Sequence, residues 1–178
     1  VKEGWALALD SRKKGLTRKK EQGVRKTFGS TNGKRMSLDQ MLAAFDAQRF
    51  AVLATSGKES PYASLIAFAM TPDRRTLIFA TQRATSKYEN MKSRPAVSIL
   101  LDSCSQHADD LRNAQAITLL GMVKEVKAGT RRAEYGALLA ARHPELASFI
   151  DGPGTALITV AIRRAVHVAR FQDVSYWP

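Results

Sequence analysis

The chain has 178 residues, 44% apolar and 25% charged, a composition that supports one folded domain and excludes a chain disordered throughout. No apolar run approaches the ~20 residues of a membrane-spanning helix, and the single cysteine, Cys104, excludes an intrachain disulfide framework or a Cys-rich zinc site. The net charge of +12 is unevenly placed: residues 1–36 carry 11 Lys/Arg against 3 Asp/Glu (+8), and the rest carry 17 against 13 (+4).

Residues 1–36 therefore read as a basic, flexible arm, with Lys and Arg crowded between Arg12 and Lys26 and little apolar surface after Leu9. Two expectations attach to it. Lys19, Lys20, Arg25 and Lys26 form either a solvated tail or a salt-dependent contact for nucleic acid. Met36 stands where a start residue would, which leaves the arm open to reading as an upstream translation artefact. No apolar core of a secretory signal follows the basic residues, and with one cysteine the expected compartment is the cytoplasm.

The body spans 37–178. Ser37 and Gln40 fit a capping box, and Leu38, Met41, Leu42 and Phe45 share one helical face. Strands are expected at Phe50–Thr55, Tyr62–Met70 and Thr76–Thr81, with turns at Ser56–Lys58 and Pro72–Asp73. A short helix from Ser86 to Lys92 ends before Pro95, and Ala96–Leu101 is the next strand. A polar loop at 102–113 precedes a long β segment, Ala114–Lys127, in which Gly121 marks a bulge or bend. A helix over Arg131–Arg142, a helical turn opened by Pro144, and two strands, Thr155–Ile162 and Ala165–Phe171, complete the pattern. Six or seven mostly consecutive strands with short helices at the connections predict a mainly β (α+β), antiparallel small barrel with peripheral helices.

Standard catalytic sets are missing from the sequence. His107, His143 and His167 lack metal-ligand spacing, and no HExxH, G-x-S-x-G or strand-borne G-x-G-x-x-G occurs. Gly29–Arg35 imitates a phosphate loop but has the wrong glycine spacing and an Arg where a Ser or Thr is needed. The informative stretch is Phe79–Asn90. It collects Thr81, Arg83, Thr85, Ser86 and Lys87 where a strand gives way to a helix, an arrangement of hydroxyls, cations and free amides suited to a phosphate. The same residues also read as an ordinary capped helix start. Beside them, the apolar strand Pro61–Phe68 carries one hydroxyl, Ser64, and offers support for a flat ring.

These segments together resemble the pyridoxamine 5'-phosphate oxidase-like flavoproteins of the FMN-binding split-barrel fold. The similar stretches are Phe50–Thr55, Pro61–Phe68, Leu77–Thr81, Arg83–Lys87, Asn90, Pro95–Ser98, Ala114–Gly121 and Val168–Val174, covering about residues 37–176. The resemblance implies a six- to seven-stranded split β-barrel and a homodimer with FMN at its interface. It implies that Thr81, Arg83, Thr85, Ser86 and Lys87 hold the FMN phosphate, and that Ser64, Leu65 and Ile66 run beside the isoalloxazine. Close relatives tend to carry an Arg in the loop where this chain has Asp102–Ser105, so the substrate side does not carry over.

The expected function is an FMN-dependent oxidoreductase acting on a small-molecule substrate. The alternative is a non-catalytic flavin, deazaflavin or haem-binding protein of the same fold, with His107, His143 or His167 as candidate axial ligands. Cys104 is read as inert, and Tyr176 and Trp177 as covering a flavin face, packing at a dimer interface, or simply structural.

Overall fold

The computed structural model describes residues 34–103, 113–170 and 173–178. Cys104, His107, Phe171 and the arm residues up to 33 lie outside the described residues, and so do the readings attached to them.

The body opens as its capping box dictates. The Ser37 amide donates to Gln40 Oε1 at 3.0 Å and the Gln40 amide donates to Ser37 Oγ at 3.2 Å. This fixes the start of α1 (Leu38–Leu42), whose Leu38, Met41 and Leu42 are buried with Phe45 of the following 3-10 turn. The strands then follow as β2 (Phe50–Ser56), β3 (Pro61–Ala67), β4 (Ala69–Met70), β5 (Thr76–Gln82), β6 (Ala96–Asp102), β7 (Gln115–Glu125), β8 (Thr155–Ala169) and β9 (Asp173–Trp177), with β1 (Lys34–Arg35) ahead of α1. Three further helices interrupt them: α2 (Ser86–Ser93), α3 (Thr130–Arg142) and α4 (Ala147–Ile150).

The strands build a curled, mainly antiparallel sheet, a split barrel with its helices at the periphery. Its order is β1-β9-β8-β7-β6-β2-β3, and among the described residues only the β1–β9 pair is parallel. Seven of the strands have five or more residues, in line with the predicted number. β8 is the spine. Its first half, Thr155–Ala161, pairs with β5, its last, Ala165–Ala169, with β9, and β7 runs along the opposite edge of both.

Three expectations about the strands need correction. The two final strands are one continuous strand: the β7 ladder spans both, and Arg163 is taken up in a bulge where Leu120 pairs with Arg164 but Gly121 with Ile162. Gly121 is needed there, because a Cβ would lie 2.6 Å from Val160 Cγ1 and 2.7 Å from the Ala161 carbonyl oxygen. β9 was not expected, since its turn carries no glycine; Arg170 takes the left-handed conformation at φ 47° and pairs with Asp173 at 2.6 Å. Finally, the expected Tyr62–Met70 strand breaks at Phe68, where Ala69 and Met70 leave β2 and pair with Ile78 and Leu77 of β5.

Burial follows from which faces are covered. The barrel interior holds Leu53, Phe79, Ile99, Leu119 and Val160 with α1 packed on it. The outside of β5 and β8 is covered by α3 and α4, so Ile78 and Leu157 are buried with Leu139 and Ile150. That is why Leu77-Ile-Phe79 reads as an unbroken apolar run rather than an alternating one. The outside of β3, β2, β6 and β7 has no such cover among the described residues. Register places Leu65 opposite Val52 and Val52 opposite Leu100, with Phe50, Leu120 and Met122 on the same side. These large apolar side chains are exposed, Leu65 to 64%.

Candidate functional site

The barrel is open between β3 and the end of β5. Among the described residues β3 pairs with β2 alone, and β5 has β8 on one edge and only two residues of β4 on the other. The free edge of β3 therefore presents backbone donors and acceptors to this opening. α2 begins directly where β5 ends.

Strand alternation sorts the residues predicted for the site. Thr81 follows Leu77 and Phe79 on the inner face of β5 and is buried, and its hydroxyl lies 3.3 Å from that of Thr85. Ser64 pairs with Leu53, an interior residue, so it too faces inward along with Ile66. Leu65 stands on the opposite, outer face with Val52. The three residues expected to run together beside a ring are thus split by the period of the strand: Ser64 and Ile66 inside, Leu65 outside. At the α2 end the interior is polar, with Asn90 Nδ2 donating to Thr55 Oγ1 at 3.1 Å and Thr55 to the Tyr62 carbonyl at 3.3 Å.

Four features leave bonding capacity unused in this region. The Ser64 hydroxyl is buried with no hydrogen-bond partner. Thr85, the N-cap of α2, makes no side-chain cap; its hydroxyl donates back to the Gln82 carbonyl at 2.8 Å, and the amides at the helix start are left without that acceptor. Ser86 is exposed beside them. Lys87 is half-buried, and burial alone pushes its pKa below the ordinary lysine range, with no carboxylate among the described residues to hold it up.

Arg83 is differently placed. Its guanidinium donates to Glu125 Oε1 at 2.6 Å and to the Pro153 carbonyl at 3.4 Å, while its amide donates to the Gly154 carbonyl. Tyr88 on α2 donates its hydroxyl to the other Glu125 oxygen at 2.7 Å. Burial raises the Glu125 carboxyl, but the bonds from Tyr88 and Arg83 outweigh it and hold the group below its usual range. The bond to Glu125 pushes both Arg83 and Tyr88 up. Glu125 thus ties together β7, α2 and the β5–α2 turn. The sequence reading missed Glu125 and Tyr88; the only available signal was Glu125 closing a β strand at a position otherwise unremarkable for charge.

The two described histidines are each engaged by neighbouring groups. His143 is fully buried, its Nε2 2.9 Å from the Phe68 carbonyl and its Nδ1 3.3 Å from an Arg49 nitrogen, so both ring nitrogens are engaged. His167 is buried against Phe45, with Nε2 2.9 Å from Gln115 Oε1. Trp177 packs on the barrel core with the Arg75 guanidinium 4.8 Å over its ring.

A family model described as pyridoxamine 5'-phosphate oxidase matches residues 37–177. The chain belongs to this family. The match covers every element from α1 to β9, including β3, β5 and α2, which carry the candidate site. Solved structures share the fold at low identity. A heme binding protein from Mycobacterium smegmatis superposes with a TM-score of 0.67 at 19% identity, over 78% of this chain and 55% of that one. HutZ, the heme storage protein from Vibrio cholerae, gives 0.59 at 15% identity, over 73% and 92%. An FAD-binding protein from Mesorhizobium loti gives 0.58 at 17%, over 75% and 95%. This chain spans little more than half the length of the mycobacterial protein. No curated protein matches the sequence.

Proposed function

We propose that this member of the family binds FMN and works as an FMN-dependent oxidoreductase on a small-molecule substrate. The observation that carries the reading is the polar cluster where β5 gives way to α2. The half-buried Lys87 ammonium, the exposed Ser86 hydroxyl and the α2 amides that Thr85 leaves without a side-chain cap stand beside the paired hydroxyls of Thr81 and Thr85, and together suit a phosphate. Arg83 stands beside them with its charge already met by Glu125. Ser64, with its unpartnered hydroxyl, and the free edge of β3 would support the ring, with Ile66 as apolar backing. FMN, when bound, supplies the redox chemistry, while these residues bind and orient it.

The exposed apolar side of β2, β3, β6 and β7 supports a homodimer. Phe50, Leu65, Leu100, Leu120 and Met122 form a stripe of a kind that a soluble monomer seldom leaves in water. Leu65, on the outer face of the same strand that carries Ser64, links that interface to the ring side of the site.

The test is a comparison of FMN with riboflavin, which lacks the phosphate. FMN should quench its fluorescence on binding, and riboflavin should bind at least about tenfold more weakly. Equal affinity would remove the phosphate cradle from the account. A Soret band on haemin titration, with no FMN binding, would replace the flavin by haem.

A further inference from the structure

A second concavity lies on the outer face of the sheet, where β7 and β8 run beside α3. It encloses about 640 Å³, within the range of small-molecule pockets. Its floor is two rungs of the sheet. Ala161 pairs with Thr76 on one side and Met122 on the other, and on the next rung Thr159 pairs with Lys124. These positions face outward, since the alternate residues Leu77, Val160 and Val123 pack on the barrel core. The groove exists because this floor is built of small residues. Leu157, two residues before Thr159 on the same face, is buried with Leu139 and Ile150 of the covering helices, whereas Thr159, Ala161 and Thr76 leave the space beside Tyr135 unfilled.

Three exposed cations line this groove: Lys124 from β7, Lys127 from the connection to α3, and Arg131 from the first turn of α3. Among the described residues none of them pairs with a carboxylate. Other cations of the body are differently placed. Arg49, Arg74, Arg83 and Arg170 each have a carboxylate partner, and Arg132, next to Arg131, donates to the Ile150 and Thr155 carbonyls. The single carboxylate on the lining is Glu125, and both its oxygens are taken, by Arg83 at 2.6 Å and Tyr88 at 2.7 Å. The first turn of α3 carries no acidic residue, although the helix dipole favours one there. A concave surface lined by one sign of charge focuses its field and concentrates counter-ions. The lining is also more than charge. Tyr135 is half-buried one helical turn from Arg131, and Met122, where the exposed apolar stripe reaches the groove, is 40% exposed. Both offer accessible apolar surface beside the cations.

We propose that this groove is a ligand site separate from the phosphate cradle, taking a nucleoside diphosphate whose phosphates meet Lys124, Lys127 and Arg131 and whose base rests against Tyr135 and Met122. Three unpaired cations match a chain of two phosphates better than a single one. The base is needed as well, because exposed lysines and arginines hold a bare anion only weakly in water. The site stands independently of the flavin reading.

The experiment uses the full chain labelled with fluorotyrosine, and adenosine diphosphate (ADP), adenosine and pyrophosphate as probes in magnesium-free buffer. The Tyr135 fluorine signal, identified with Tyr135→Phe, reports contact by NMR, and calorimetry reports affinity. ADP should shift that signal and bind at least about tenfold more tightly than either adenosine or pyrophosphate. Lys127 and Arg131 are exposed, so Lys127→Gln and Arg131→Gln leave the fold intact. Each should weaken ADP at least about fivefold while FMN affinity stays unchanged. Pyrophosphate binding as tightly as ADP would reduce the groove to a basic surface with no place for a base. Adenosine binding as tightly as ADP, ADP affinity unchanged in both variants, or no Tyr135 shift with about 10 mM ADP would likewise overturn the assignment. Failure of the FMN titration would sink the flavin reading and leave this site standing.

Discussion

Lys87 and Arg83 are only four residues apart, and the sequence gives them equal claims on a phosphate. Their surroundings separate them. Arg83 is already bonded to Glu125 at 2.6 Å, so a phosphate near it meets a neutralised cation. Lys87 is partly desolvated, its pKa lowered by burial, and an incoming phosphate supplies a counter-charge. A hydrogen bond between charged groups contributes about 1.5–3 kcal/mol net. Lys87→Met should therefore weaken FMN about 10- to 150-fold. Arg83→Gln removes a cation whose bonds go elsewhere, and should change FMN affinity less than about fivefold. Fluorescence titration at fixed ionic strength reads both, with circular dichroism to confirm that each variant is folded. A larger loss for Arg83→Gln than for Lys87→Met would refute the reasoning, because it would mean that Arg83 leaves Glu125 for the ligand.

Other consequences follow from the same structure. FMN affinity should fall as pH rises through the lowered Lys87 pKa, earlier than the ordinary lysine value of 10.5 would give, and Lys87→Met should abolish that limb of the profile. Burial holds His167 below its usual 6.5, so the unfolded chain binds the proton more readily; stability present above about that pH should decline as pH falls below it, and His167→Gln should flatten this part of a melting profile. Gly121→Ala drives a methyl group into the Ala161 carbonyl and Val160, and should destabilise the fold by about 1–3 kcal/mol, seen as a lowered melting temperature. Leu100→Asp places a charge in the exposed apolar stripe and should shift the species seen by sedimentation from dimer to monomer.

Much of the barrel is legible in the residues because local signals and burial agree. The Ser37/Gln40 box and the alternation of β2 each follow from short-range chemistry that the tertiary structure respects. Legibility fails where the deciding interaction is distant. The Arg163-Arg164 pair looks like a break between strands, yet the β7 ladder carries β8 through it. Phe68 looks like mid-strand, yet the chain changes partner there from β2 to β5. The site shows the same division. The run of Thr81, Thr85, Ser86 and Lys87 is visible in sequence because a strand-to-helix junction is local. That Glu125, about forty residues later, occupies Arg83 depends on β7 closing beside α2, which no spacing in the sequence reveals. The opposite facing of Ser64 and Leu65 was available from strand period alone.

The most direct test of the central claim is the absorption spectrum of the purified full chain after incubation with FMN, followed by chromatography of the ligand that heat releases. The account predicts the two-band spectrum of a bound flavin and release of FMN, close to one per chain. A protein that stays colourless with FMN, or that shows a Soret band in its place, would contradict it.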